Sequence, residues 1–262
     1  GQYLMKPGNQ ETKLGSSFCG VLNGGGCSVT IRCVRYSSTN FGDGQAVGLI
    51  GRLGVHDRDP VSSRPRGAGV YDVAVYGSVY ANRSVGGIVG KIGKTNGGAV
   101  ISGCANFAKI TGADNQGTGG ICGSAFNDGA IINCCNAGEV TNAKNAAGGI
   151  AGLCEVSIES CLNTGTVTGG ESAAIAVSNG SAVIKNCFYL DESAKTGARA
   201  YDGGGITALT ASELRGADAP ERLGDAFTRD TQKINGGFPV LYWQIYGSDH
   251  SSYYVSLNAK TN

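Results

Sequence analysis

The feature that most restricts this chain is a phrase it repeats: VGGIVGKIG at Val85–Gly93, TGGICGSAF at Thr118–Phe126 and AGGIAGLCE at Ala147–Glu155. Aligned on the central aliphatic residue, five copies appear: Leu49, Ile88, Ile121, Ile150 and Ile175, separated by 39, 33, 29 and 25 residues. In the fifth copy, SAAIAVSNG, the glycine pair has become Ala-Ala. A second phrase follows each copy, with anchors Val73, Cys104, Cys134, Cys161 and Cys187 spaced 31, 30, 27 and 26 residues apart. Six residues beyond four of these anchors stand Val79, Ile110, Val140 and Val167. Repeats of this length belong to units that cannot bury their apolar face alone and must stack.

Local chemistry decides what is stacked. The segments are short, rich in Val, Ile and Thr, and separated by Gly, Asn and Asp, which are strand and turn signals. Helix formers are sparse before about Leu209. The expectation is an all-β fold: a parallel β-solenoid (β-helix) of about five or six coils, with a small C-terminal cap containing a short helix. Leu49, Ile88, Ile121, Ile150 and Ile175 would form one interior ladder. Val73, Cys104, Cys134, Cys161 and Cys187 would form another, since a small apolar thiol suits a buried column. Gly51, Gly90, Gly123 and Gly152 share one register, as expected of a recurrent corner; glycine also permits close backbone approach. The expected organisation is an N-terminal lead-in strand over 1–17, repeats over 18–200, a cap over 201–244, and a tail or linker over 245–262.

Glycine is 45 of 262 residues and proline only 5, with no G-X-Y period, which excludes collagen. Lysine and arginine total 21 against 20 acidic residues, so nothing suggests nucleic acid as a partner. No apolar run is long enough to cross a bilayer, so no membrane insertion is expected. The chain opens GQYLMKPGNQ; Gly1 has the look of a residue left by tag removal, and the chain is expected to be a fragment of a longer protein.

Ten cysteines invite a disulfide framework. In-register stacking gives poor disulfide torsions, however, so the anchor column should hold free buried thiols. Cys27–Cys33 and Cys122–Cys154 remain open as bridges. A zinc site is not expected, because Cys134–Cys135 is no CxxC and only His56 and His250 could assist.

The recurring GGIVG, GGICG and GGIAG phrases, each followed by an Asn-Cys-containing strand, resemble GLUG-type repeats. Those repeats occur in bacterial surface and secreted proteins, including adhesins and non-catalytic parts of IgA-cleaving peptidases. FCGVLNGGGCSVTI at Phe18–Ile31 is similar to the opening of such arrays, and Leu209–Gln244 resembles their closing segment. The resemblance implies an extracellular β-solenoid, at a bacterial cell surface or secreted, forming one module of a larger protein. It brings no catalytic residues with it.

The ends and insertions carry the remaining candidates. Thr210-Ala-Ser-Glu213 has the capping-box form, predicting a short helix over about 211–215, with a second turn at Ala219–Leu223. Trp243, the sole tryptophan, sits in GFPVLYWQ; it should pack in a lid over the last coil, with a carbohydrate-stacking platform as the sharper alternative. The insertion Val55–Gly67 gathers Asp57, Arg58, Asp59, Arg64 and Arg66, and could be a binding loop or a plain solvated one.

Catalysis finds little to work with. The acids Asp114, Asp128, Glu139, Glu155, Glu159, Glu171, Asp191 and Glu192 do not fall in one column, as a hydrolytic pair across a groove would require. There is no H-E-x-x-H and no nucleophile elbow. Gly42–Gly48 and Gly112–Gly120 echo calcium-binding glycine turns but match neither established loop, so no cofactor is expected and Ca²⁺ stands as a secondary candidate. The sequence therefore favours a non-catalytic module acting in adhesion, ligand binding or spacing. Its partners would be a host or matrix protein or a glycan, and other domains of its parent. The alternative is a carbohydrate-active or carbohydrate-binding β-helix using Tyr71, Tyr76 and Tyr80.

Overall fold

The computed structural model describes residues 17–33, 46–55, 66–113, 116–178 and 180–247. Its architecture is all-β and parallel: a seven-stranded and a seventeen-stranded parallel sheet, plus one small antiparallel pair, among the described residues. Strands in the middle of the array pair with their counterparts in the repeat before and the repeat after. Val89–Ile92 pairs with Ile50–Leu53 on one side and Cys122–Ala125 on the other. Ala151–Cys154, Ala176–Ser178 and Ala198–Arg199 continue the series.

The aliphatic column lies in register as the repeats imply. The Ile88 N–H donates to Ile121 O at 3.1 Å, Ile121 to Ile150 at 3.1 Å and Ile150 to Ile175 at 3.0 Å. Ile88, Ile121, Ile150 and Ile175 are fully buried, while Leu49, at the start of the column, is half-buried. A parallel column, Val70–Ile101–Ile131–Ile158–Ile184, faces them within the same apolar cluster. Each buried isoleucine contributes roughly 1.5–3 kcal/mol, so the two columns account for much of the core.

The anchor column is longer than its five cysteine and valine members. Pairing extends it to Cys27 at one end and Ile206 at the other, because Cys27 sits opposite Val73 and Cys187 opposite Ile206. In every member the preceding residue turns left-handed: Gly26, Asp72, Gly103, Asn133, Ser160, Asn186 and Gly205 all have φ between 49° and 90°. These are the recurrent corners. The expected corner glycines Gly51, Gly90, Gly123 and Gly152 instead lie inside strands, with no positive φ. The cause at Gly90, Gly123 and Gly152 is close approach. A Cβ on Gly90 would lie 2.4 Å from Val47 N, and one on Gly152 would lie 2.2 Å from Thr118 N.

Between the columns runs a ladder of buried amides. Asn106, Asn136 and Asn163 are fully buried, two residues after Cys104, Cys134 and Cys161. Asn106 Nδ2 donates to Asn136 Oδ1 at 2.8 Å, Asn136 Nδ2 to Asn163 Oδ1 at 2.7 Å, and Asn163 Nδ2 to Ser193 Oγ at 3.1 Å. Each amide also donates to the carbonyl two residues on, at 2.9–3.0 Å. The second glycine of the repeated phrase packs against this ladder. A Cβ on Gly120 would fall 2.3 Å from the Asn136 amide, and one on Gly149 would fall 2.3 Å from Asn163 Cγ.

Two expectations about the end of the chain are corrected. Parallel pairing does not stop at residue 200 but runs through Ile206–Leu209, because those residues still complete the register of Cys187–Leu190. The segment beyond does not sit as a lid on the last repeat. It folds back along the flank, where Leu214, Leu223, Phe227 and Leu241 bury the column Ala74–Ala105–Cys135–Leu162–Phe188. That column is apolar on the side facing away from the main core, so it needs its own cover. The Trp243 indole N–H reaches back to Gly103 O at 2.8 Å. The predicted helices are present at Ala211–Leu214 and Ala219–Leu223, and Thr210 and Glu213 form the reciprocal capping box.

Candidate binding surface

A surface site emerges from the strand seven residues past the anchors. Tyr80 pairs with Thr111, Thr111 with Thr141, and Thr141 with Thr168, so one ring and three hydroxyls share a column on the solvent side of these strands. Alternation puts Val79, Ile110, Val140 and Val167 on the buried side. Past Thr141 the strand bulges between Asn142 and Ala146. Asn142 is fully buried and fixes this bulge: its Oδ1 accepts from the N–H groups of Lys144 and Asn145 at 3.1 Å, and its Nδ2 donates to Gln116 O and Thr118 Oγ1. The bulge lifts Lys144 onto a rim.

The result is a concavity of about 510 Å³ lined by Tyr80, Asn82, Thr111, Thr141 and Lys144, with Gly112, Ala113 and Ala143 completing the lining. Among the described residues Lys144 is the one charged group in that lining. Beside it, Lys109 and Glu139 pair at 2.9 Å across adjacent repeats, both about half exposed. Thr141 Oγ1 lies 3.1 Å from Thr168 Oγ1 and 3.3 Å from Glu139 Oε1. The wall offers a ring, hydroxyls, an amide and an ammonium group. Such groups stack and hydrogen-bond, and among the described residues no carboxylic acid lines the concavity.

The other residues singled out in the sequence lie elsewhere. Asp57, Arg58, Asp59 and Arg64 fall outside the described residues, as do His56, His250 and Asp114; Arg66 is exposed at the end of its loop. Tyr71 packs its ring over Gly69. Tyr76 stacks on Phe107, with centroids 4.8 Å apart, against the cap-covered cluster, where burial raises its pKa. Of the three tyrosines, Tyr80 alone lines the concavity. Trp243 is half-buried in the seam between cap and flank. Among the described residues no group of three His, Cys, Asp or Glu is placed to hold a metal ion.

Cys104, Cys134, Cys161 and Cys187 are buried free thiols, each donating to the carbonyl two residues earlier at 3.2–3.3 Å. Cys122 and Cys154, weighed above as a bridge, are likewise free and buried. Burial pushes Cys135 and Cys154 up to about 12, and Cys122 higher still. Cys19 and Cys27 are exposed.

Sequence reasoning missed Asn82, Thr111, Thr141 and Lys144. A signal was present for the threonines: position seven after the first four anchors reads Tyr, Thr, Thr, Thr. The bulge that raises Lys144 leaves no comparable trace.

The sequence matches no family model and no curated protein. In three dimensions the chain is similar to a crystal structure described as "a putative immunoglobulin A1 protease from Bacteroides ovatus". The match has 21% identity and a TM-score of 0.55, covering 87% of this chain and 70% of that one. At that identity the likeness speaks for the fold.

Proposed function

We propose that this chain is a non-catalytic β-solenoid module of a bacterial surface or secreted protein, holding a ligand or spacing the domains around it. The observation that carries the reading is the parallel pairing of each repeat with the next, from the strand at Ala46–Val47 to that at Ile206–Leu209, which resumes after local shifts such as the one between Asn142 and Ala146. Successive units offset by one repeat, buried isoleucine and asparagine ladders, and a covered flank are what a stacked rod requires. The extracellular placement rests on the GLUG-like phrases. Among the described residues nine cysteines are free thiols, and they are compatible with an oxidising compartment because seven of them are buried away from oxidant in solution. The likeness to a structure described as a protease concerns architecture. The acids Glu139, Glu155 and Glu159 stand in separate columns, and Glu139 is paired with Lys109.

The Tyr80 concavity favours the ligand-binding arm, and within it a glycan. A screen of the purified chain against glycan and extracellular-matrix arrays tests this. Saturable binding to one class supports recognition. A blank from folded protein removes that arm and leaves spacing, and turnover of any polysaccharide or peptide would overturn the non-catalytic reading.

A further inference from the structure

The concavity beside Tyr80 has a built shape. Asn142, fully buried, holds the 143–145 bulge through its Oδ1 and anchors itself to Gln116 O and Thr118 Oγ1 through its Nδ2, so Lys144 is presented at the rim by a fixed turn. The Tyr80–Thr111–Thr141–Thr168 column sets one ring and three hydroxyls at successive strands, about 4.8 Å apart. That spacing is close to the length of one pyranose unit. A chain of sugars laid across the strands would therefore meet an equivalent group at each step. Tyrosine supplies an apolar face for the C–H side of a sugar ring and keeps its hydroxyl for hydrogen bonding. Threonine hydroxyls donate and accept, as sugar hydroxyls do. Among the described lining residues the charge is a single ammonium group, and the Glu139 carboxylate beside Thr141 is paired with Lys109 at 2.9 Å.

We propose that this groove binds an acidic oligosaccharide, with a sugar ring on Tyr80, its neighbours along Thr111 and Thr141, and a sugar carboxylate at Lys144. The inference rests on the ligand-binding arm of the function proposed above and names its chemistry.

The test is direct titration of the whole chain with oligogalacturonate and sialyllactose, against neutral cello-oligosaccharides and an oligoglutamate peptide, followed by calorimetry and saturation-transfer NMR. Acidic sugars should bind saturably and neutral ones more weakly. Tyr80→Ala should weaken binding about tenfold, as loss of a central aromatic anchor does. Lys144→Gln should abolish the preference for acidic over neutral sugars and flatten the salt dependence. Tyr80→Phe should retain most of the affinity, and Lys195→Gln, which lies outside the concavity, should change nothing. Thermal melts establish that each variant is folded; Lys144 is exposed, so its variant keeps the test usable even if Tyr80→Ala fails to fold. Three results overturn the proposal: no saturable binding of acidic sugars, binding indifferent to both groove variants, or tighter binding of oligoglutamate. If an array ligand binds while both groove variants keep full affinity, the recognition reading survives and this groove does not.

Discussion

Replacing Asn136 by aspartate changes one atom type at the centre of the buried ladder, so its consequence can be worked out closely. The Asn136 amide accepts from Asn106 Nδ2 at 2.8 Å and donates to Asn163 Oδ1 at 2.7 Å and Gly138 O at 2.9 Å. Aspartate keeps the shape and the acceptor but loses both donations. A protonated carboxyl can restore one of them. The variant at low pH should therefore be weaker than wild type by about 1–3 kcal/mol, the cost of one buried acceptor left unpaired. An ionised carboxylate would face two acceptors in a fully buried site, so the folded-state pKa must rise above the unfolded value of about 3.9. A raised folded pKa means that the protonated-state stability is fully present below about pH 3.9 and is lost as pH climbs towards the folded pKa. The loss is up to about 1.4 kcal/mol per pH unit, or at most about 4 kcal/mol between pH 4 and pH 7. That is a large share of the roughly 5–15 kcal/mol of an ordinary domain. Asn136→Ala supplies the control: it forfeits the same ladder bonds, roughly 3–5 kcal/mol, without a titrating group. Urea midpoints at pH 4, 5.5 and 7, taken as differences from wild type, separate the two. The aspartate penalty should grow with pH while the alanine penalty stays flat. A pH-independent aspartate penalty, or one below about 1 kcal/mol at pH 7, would refute the buried, donor-dependent ladder.

Three further outcomes are expected. Gly120→Ala should destabilise severely, since its Cβ would enter the space of the Asn136 amide and Gly149 O, whereas Gly204→Ala, with nothing within 4 Å, should be close to neutral; chemical denaturation of the pair checks this. Ile121→Asp should abolish cooperative folding, because the fully buried column would then hold an unpaired charge, and circular dichroism should show no melting transition; a reversible melt matching wild type would sink the interior assignment. Trp243→Phe should cost about 0.5–1.5 kcal/mol through loss of the bond to Gly103 O. It should also speed amide exchange in residues 227–247 while leaving the repeat strands protected.

The difference between what the sequence disclosed and what it hid follows from how local each feature is. Ile88, Ile121, Ile150 and Ile175 were legible because every copy of a stacked position meets its own neighbours one repeat away, so one physical demand is written several times. The cap helix was legible for a different reason: Thr210 and Glu213 satisfy each other within one turn, and both partners lie in one short string. The Asn106–Asn136–Asn163 ladder was equally periodic, written as Cys-x-Asn three times, and was missed because a polar residue in a turn-rich sequence is ordinarily assigned to a turn. The corner glycines were placed in the right register for the wrong cause. Glycine answers both to positive φ and to backbone crowding, and only the neighbouring strand, 2.2–2.4 Å from an imagined Cβ, tells the two apart. The flank cover was out of reach for a stronger reason. Trp243 meets Gly103 across 140 residues, a contact with no period and no local partner. The concavity combines both limits: its threonine column repeats and could be found, whereas its rim depends on one bulge in one repeat, held by Asn142, and a feature that occurs once has no second copy in the sequence to reveal it.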